Sequence, residues 1–205
     1  MLKFFYAPGT CALATHIVLE HLQVPHEAVK LDFRQQQQRT PEFLAINPKG
    51  RVPALVTDRG VLTETPALLL YLAQLYPDAG LAPLDDPFAL AELQAVTSWL
   101  CSTVHIAHAH RMRGYRWADD EAAQQAMKAK VPQNMTECFS WIDTDLLRGP
   151  WMMGETFTVA DAYMFALSTW LPGDSVDIQR FARVADHHQR MRALPAVQRT
   201  LALHA

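Results

Sequence analysis

Between Pro77 and Pro87 the chain carries three prolines, one glycine and three aspartates in eleven positions, with little apolar periodicity. Neither a helix nor a strand runs through such a stretch, so it reads as a linker at 78–87. The two sides of it differ in kind. On residues 1–77, strand-like and helix-like segments alternate. Leu2–Tyr6 is a short strand stopped by Pro8-Gly9, and Ala12–Leu22 carries Leu13, Ile17 and Leu22 near helical spacing. Glu27–Phe33 is a weaker strand. Thr40-Pro41 pairs a capping hydroxyl with proline at the first helical position and opens a short helix through Ile46. Pro53–Thr57 and Val61–Thr63, joined by Asp58-Arg59-Gly60, predict a hairpin. Thr65-Pro66 repeats the capping device before Leu68–Tyr76, a segment apolar on several faces and so expected to pack on both halves.

On residues 88–205 nothing resembles a strand. Leu90, Leu93, Val96, Leu100, Val104 and Ala107 recur at helical spacing. Glu121–Leu147 predicts another helix, bent or split at Pro132. Thr158–Leu171 is apolar on nearly every side and belongs at the centre of a helical bundle. Thr158 and Asp161 stand three apart in capping-box spacing, which assigns Asp161 a structural role. The expected architecture is a small α/β domain followed by an all-helical one.

Half of the residues are hydrophobic and 19% are charged, a composition that buries a core and excludes a disordered chain. A formal net charge of −3 gives no electrostatic case for nucleic acid or an anionic membrane. No apolar run reaches the roughly 20 residues of a membrane helix, and Pro8-Gly9 breaks the apolar start. Three widely spaced cysteines argue for a reducing compartment rather than a disulfide framework, so a cytoplasmic location is expected.

Three places have the makings of chemistry. Cys11 follows a strand and a turn and opens a helix, where the helix dipole and free amides favour a thiolate; a buried, inert cysteine is the alternative. Position 14 is alanine, so no CxxC partner exists. Cys101 and Cys138 read as core. Arg51-Val52-Pro53, after Asn47-Pro48-Lys49-Gly50, places a proline at a strand start, where a cis bond leaves the Val52 backbone open to a peptide-like ligand; a plain turn asks less. At Glu64-Thr65-Pro66, a helix start capped by Thr65 suits a carboxylate and Glu64 an ammonium, the two ends of an amino-acid zwitterion; ordinary capping explains Thr65 alone equally well.

His105, His108 and His110 lack an acidic or cysteine partner at matching spacing, so no metal is expected. Ser98, Cys101, Ser102 and His105 fall on one helical face, lining either a cleft or a close helix contact. Arg111, Arg113 and Arg116 among aromatics read as a surface turn, and His187-His188 as solvated.

Taken in order, these segments resemble a bacterial glutathione S-transferase of the beta class. Pro8-Gly9-Thr10-Cys11 with His16-Ile17-Val18-Leu19-Glu20 resembles the first helix of that family. Asn47 to Leu55 resembles its glutathione-site segment, and Leu62-Thr63-Glu64-Thr65 the segment that holds the γ-glutamyl end. Ser102-Thr103-Val104-His105 resembles the region of its second-domain histidine, and Phe157 to Tyr163 its helical-domain signature.

The resemblance implies a thioredoxin-like N-terminal domain, an all-helical C-terminal domain and a homodimer. It implies glutathione as co-substrate, with Cys11 and His105 as catalytic residues at its sulfur. Tyr6, Thr10, Gln36, Lys49, Arg51, Val52, Pro53, Glu64, Thr65, Ser98 and Ser102 would complete its site. Met112, Tyr115 and Trp117 would wall the site of a small hydrophobic electrophile. Ala12 stands where a serine is often found, and Gln36 and Ser98 where a lysine and an asparagine are frequent. The implied activity is conjugation of glutathione to electrophiles. The alternatives are thiol–disulfide or peroxide chemistry through a Cys11 mixed disulfide, and a non-catalytic glutathione-binding module.

Overall fold

A computed structural model describes residues 1–205. Phe4, Phe5 and Tyr6 are buried on both faces of β1 (Leu2–Tyr6), which puts that strand inside a four-stranded sheet of order β2-β1-β3-β4. β2 (His26–Lys30) runs parallel to β1, with Phe4 opposite Ala28. β3 (Ala54–Thr57) runs antiparallel to β1, with Phe4 opposite Leu55, and β4 (Gly60–Thr63) pairs antiparallel with β3. The predicted hairpin is present; the Thr57 hydroxyl closes it on the Gly60 carbonyl at 2.8 Å.

The parallel β1–β2 pair requires a crossover, and α1 (Ala12–His21) supplies it. Its residues 12–19 are all buried, because it lies against α3 (Thr65–Leu75) on one side and against α7 (Val159–Ser168) and α9 (Pro195–Leu203) of the helical half on the other. α2 (Pro41–Ile46) begins as predicted, with Thr40 Oγ1 accepting the Phe43 N–H. α3 (Thr65–Leu75) buries Leu68, Leu69 and Leu72 and touches α1, α4 and α7, so it does face both halves.

Asp86 caps α4 (Pro87–Trp99) by accepting the Phe88 and Ala89 N–H groups. The helix widens into a π turn at Leu100–Val104 and continues as α5 (His105–Arg113). α6 (Glu121–Trp141) runs through Pro132 without splitting, contrary to one branch of the expectation, and ends in a second π turn at Ile142–Leu146. Every residue of α7 (Val159–Ser168) is buried, as a central helix requires. α8 (Ala182–Ala193) and α9 (Pro195–Leu203) close the bundle. The stretch after Pro77 is not a loose tether: Leu81 is buried and its carbonyl accepts the Val159 N–H at the start of α7. A single apolar cluster runs from Phe4 through Leu68 to Tyr163 and Val197, so no solvated layer separates the sheet from the bundle.

Asp161 does more than cap. One oxygen accepts the Thr158 N–H at 2.7 Å and the Thr158 hydroxyl at 3.0 Å; the other accepts the Met152 N–H at 2.7 Å and pairs with His187 Nε2 at 2.9 Å. His187 is therefore buried on Asp161, not solvated as its sequence position suggested. Its neighbour His188 is half-buried and bonded to the Ser168 hydroxyl.

Candidate active site

Where the N-terminal ends of α1 and α3 meet α5, a cleft of about 620 Å³ opens, the size of a small-molecule site. Its floor begins at Cys11, in the turn that starts α1. The Cys11 Sγ points at the Val52 carbonyl, 3.9 Å away, with the Thr65 hydroxyl and Cys101 beside it. Val52–Pro53 is a cis peptide bond, and the Val52 N–H makes no hydrogen bond to another backbone group, which leaves it free for a ligand.

Asn47 holds the loop that presents this segment. Its side chain donates to the Arg51 carbonyl at 2.7 Å and accepts the Lys49 N–H at 3.2 Å. Gly50 has φ +59, and a Cβ there would come within 2.9 Å of Arg39 Nη1. Glycine at this position thus permits both the turn and the approach of a guanidinium to the cleft.

At the other end stands Glu64, itself at φ +72, with its carboxylate 2.6 Å from Lys49 Nζ. An ammonium already sits where the sequence predicted one would be received. The Thr65 expectation needs correction. The chain turns at Glu64, which occupies the capping position, and Thr65 is the first residue of α3, with its hydroxyl toward Cys11.

Of the two readings of Cys11, burial favours the neutral thiol over the thiolate. Cys11 is buried, and desolvation pushes its thiol up to about 11, against the weaker opposing pulls of Thr65 and Arg113. Cys11 is a neutral donor at pH 7. Burial likewise pushes His105 down to about 4, with Arg113 the next contributor. His105 is therefore a neutral imidazole, packed edge-on against Trp170 at 5.0 Å between ring centroids.

These depressed histidines make a pH prediction. A histidine that titrates below its unfolded value of about 6.5 leaves the unfolded chain binding more protons, so its contribution is intact above pH 6.5 and is lost as pH falls toward 4. His105 and His188 both titrate near 4. Urea unfolding midpoints should fall between pH 7 and pH 4.5. A His188→Gln variant should lose part of that dependence; an unchanged slope would remove the explanation.

The cleft gathers Thr10, Cys11, Gln36, Arg51, Val52, Pro53, Glu64, Thr65, His105, Tyr115 and Trp117. The five other candidates do not line it. Tyr6 is buried under α9 and donates to the Leu203 carbonyl at 3.1 Å. Ser98 is exposed beside a separate small groove between α3 and α4. Ser102 is exposed because the π turn widens the helix: residues four apart, Cys101 and His105, stay on the cleft side while Ser102 rotates away. Met112 is 71% exposed and does not line the cleft. Lys49 reaches only the rim, through Glu64 and the Thr63 hydroxyl.

Sequence reading missed a second set of residues. Arg113 and Arg116, expected at a surface turn, line the cleft. Cys101, expected as core or on a face lining either a cleft or a helix contact, lines it too. Trp170 and His108 form its back wall, their rings stacked at 4.1 Å. Asp174, fully buried, bonds His108 Nδ1 at 2.8 Å, and Trp170 Nε1 donates to the Gly9 carbonyl at 3.1 Å. This chain of contacts fixes the Cys11 loop from the helical half. The three histidines of α5 thus have separate partners: His105 on Trp170, His108 on Asp174, and His110 on Trp117. The cleft as a whole is cationic on its walls, with Arg39, Arg51, Arg113 and Arg116 against the single carboxylate of Glu64.

Comparison with known proteins matches residues 9–75 to the family described as glutathione S-transferase, N-terminal domain, and residues 108–202 to glutathione S-transferase, C-terminal domain. Glutathione S-transferase GstA of Escherichia coli O157:H7 is 30% identical over 203 residues, which cover 98% of this chain and 97% of that protein. The disulfide-bond oxidoreductase YfcG of Escherichia coli is 26% identical, covering 98% of this chain and 94% of that protein. Among solved structures, a glutathione transferase homolog from Sulfitobacter with bound glutathione is 42% identical, with TM-score 0.95 over 99% of this chain and 98% of that one. A beta-class glutathione S-transferase from Sphingomonas chungbukensis is 32% identical, with TM-score 0.87 and coverage of 99% and 98%.

Proposed function

The chain belongs to the glutathione S-transferase family, and from that premise we propose that its cleft binds glutathione and transfers the glutathione sulfur to a small hydrophobic electrophile. The observation that carries this reading is the set of groups lining one cleft: the Cys11 thiol and the His105 imidazole, both held neutral by burial, with the Arg113 cation acting on each. Two donors and a positive charge suit an anionic sulfur supplied by the ligand. A resident thiolate is not needed.

The remaining groups match the rest of the tripeptide. Glu64 accepts the γ-glutamyl ammonium in place of Lys49, and the start of α3 at Thr65 receives the adjoining carboxylate. The free Val52 backbone pairs with the cysteinyl residue, and Arg39, Arg51 and Gln36 border the glycyl carboxylate. Tyr115 and Trp117, both substantially exposed at the mouth, offer an apolar wall to the electrophile. In this reading the Cys11 thiol and His105 stabilise the attacking thiolate, the sulfur–carbon bond forms, and the electrophile releases its leaving group or takes up a proton. A role in detoxification and pairing into a homodimer accompany the proposal. The exposed Phe88 and Leu75, at the start of α4 and the end of α3, support the latter.

A Glu64→Ala variant should raise the KM for glutathione about tenfold and leave kcat nearly unchanged, since an exposed charge-assisted hydrogen bond contributes to binding alone. A fall in kcat at unchanged KM would place Glu64 elsewhere in the reaction.

A second reading has an observation of its own, because Cys101 opens on the same cleft as Cys11. In it, the Cys11 sulfur attacks the glutathione sulfur of a mixed disulfide, releases the other partner as a thiol and keeps glutathione in a disulfide with Cys11. A second glutathione then attacks the glutathione-side sulfur of that bond, which returns the Cys11 thiol and forms glutathione disulfide; alternatively Cys101 attacks the Cys11 sulfur, releases the glutathione and leaves a Cys11–Cys101 disulfide that two further glutathiones reduce. Assays of an aryl halide and of a glutathione mixed disulfide separate the two. Conjugation without disulfide reduction supports the first reading, and the reverse supports the second. Glutathione binding with neither activity would overturn both in favour of a binding module.

A further inference from the structure

At the far end of α1 from Cys11, three side chains converge that the cleft does not use. Glu20 lies nine residues beyond Cys11, or about 13 Å along a helix. His16 and Glu20 stand one turn apart on α1, and His26 opens β2 beside them. One donor atom from each lies within 4.8 Å of the other two.

The surrounding hydrogen bonds sort the atoms. His26 Nδ1 donates to the Val24 carbonyl at 2.7 Å, which leaves Nε2 with its lone pair. His16 Nδ1 lies 2.9 Å from His204 Nε2, and His16 Nε2, fully buried, has no partner at all. One Glu20 oxygen is held by Arg199 Nε at 2.9 Å, and the other is free. Two imidazoles are thus oriented through their second nitrogen, and a carboxylate is held by one oxygen, the arrangement that outer-shell partners give metal ligands.

We propose that His16 Nε2, His26 Nε2 and a Glu20 oxygen bind a divalent cation of the zinc class, with His204 and Arg199 as positioning residues. Two nitrogens and one carboxylate suit zinc or cobalt rather than calcium or magnesium, and a fourth position stays open to water. The orphaned His16 nitrogen is the observation that singles this cluster out, since a buried polar atom without a partner costs stability. The ion would join α1 and the start of β2, with His204 and Arg199 drawing the end of α9 onto the same point. It would act on how these segments are held and leave the cleft chemistry alone.

The test is metal uptake by the full chain at neutral pH. Wild type should retain one zinc per chain after desalting. Cobalt should give the intense visible bands of a tetrahedral site without a thiolate charge-transfer band. His26→Gln and Glu20→Gln change half-buried positions and should keep the wild-type circular dichroism while weakening zinc at least about tenfold; His204→Gln should weaken it about 10–100-fold through His16. No stoichiometric uptake by wild type, a thiolate band with cobalt, or unchanged affinity in either ligand variant would each overturn the site.

Discussion

An Asp161→Ala chain is expected to unfold about 3–5 kcal/mol more easily than wild type, the range for removing one partner from a buried charged network. Asp161 is fully buried and its two oxygens accept four hydrogen bonds, from two backbone amides, a hydroxyl and an imidazole. Alanine leaves all four donors without a partner and opens a void beneath the start of α7. The loss should appear as a lower urea midpoint with an unchanged slope, because the folded architecture remains the same. His187→Gln removes a single bond of the four and should cost much less. A drop below about 1 kcal/mol for Asp161→Ala, the scale of an ordinary surface cap, would mean that water replaces the carboxylate.

Cys11→Ala should divide the two chemistries. Thiol–disulfide exchange, if the protein performs it, loses its nucleophile and falls to background. Conjugation should persist with kcat/KM lowered about 10–100-fold, the equivalent of one hydrogen bond to a charged sulfur. The pH profile carries the more specific signal. Because the Cys11 thiol itself titrates near 11, the rising limb near neutrality reports the bound glutathione thiol. Removing the donor should move that limb upward by about one pH unit, since 1.36 kcal/mol corresponds to one unit. A limb that stays in place while the rate falls would show that Cys11 only shapes the cleft.

Which parts of this structure could be read from residues alone follows from the range over which each is determined. Thr40-Pro41, the Asp58-Arg59-Gly60 turn and the Thr158/Asp161 box are settled within four or five positions, and all three appear as the sequence predicted. That the Cys11, Val52 and Glu64 segments border one cleft was legible for the same reason, each being a strand-to-helix junction or a loop of distinctive residues. The protonation of Cys11 was not. It depends on how completely the folded chain buries the sulfur, and that desolvation outweighs the Thr65 hydroxyl, the Arg113 charge and the helix start that favour a thiolate. Arg113, His108 and Trp170 were missed because their cleft positions arise from contacts between residues 60 or more apart, such as His108 with Asp174 and Trp170 with Gly9. Ser98 and Ser102 were misplaced because a uniform helical period was assumed across a stretch where the backbone departs from it.

That departure has a consequence for how such a wall can vary. A π turn holds one more residue than the α-helical turn it replaces, so shortening Leu100–Val104 by one would return it to regular helix and leave α4 and α5 where they are. The bundle would survive the deletion. What would change is the side chain offered opposite Cys11, with His105 and Trp170 still in place behind it. Length variation at this point therefore re-equips the site without refolding it, and a one-residue gap here in a related chain would signal altered sulfur chemistry rather than an altered scaffold.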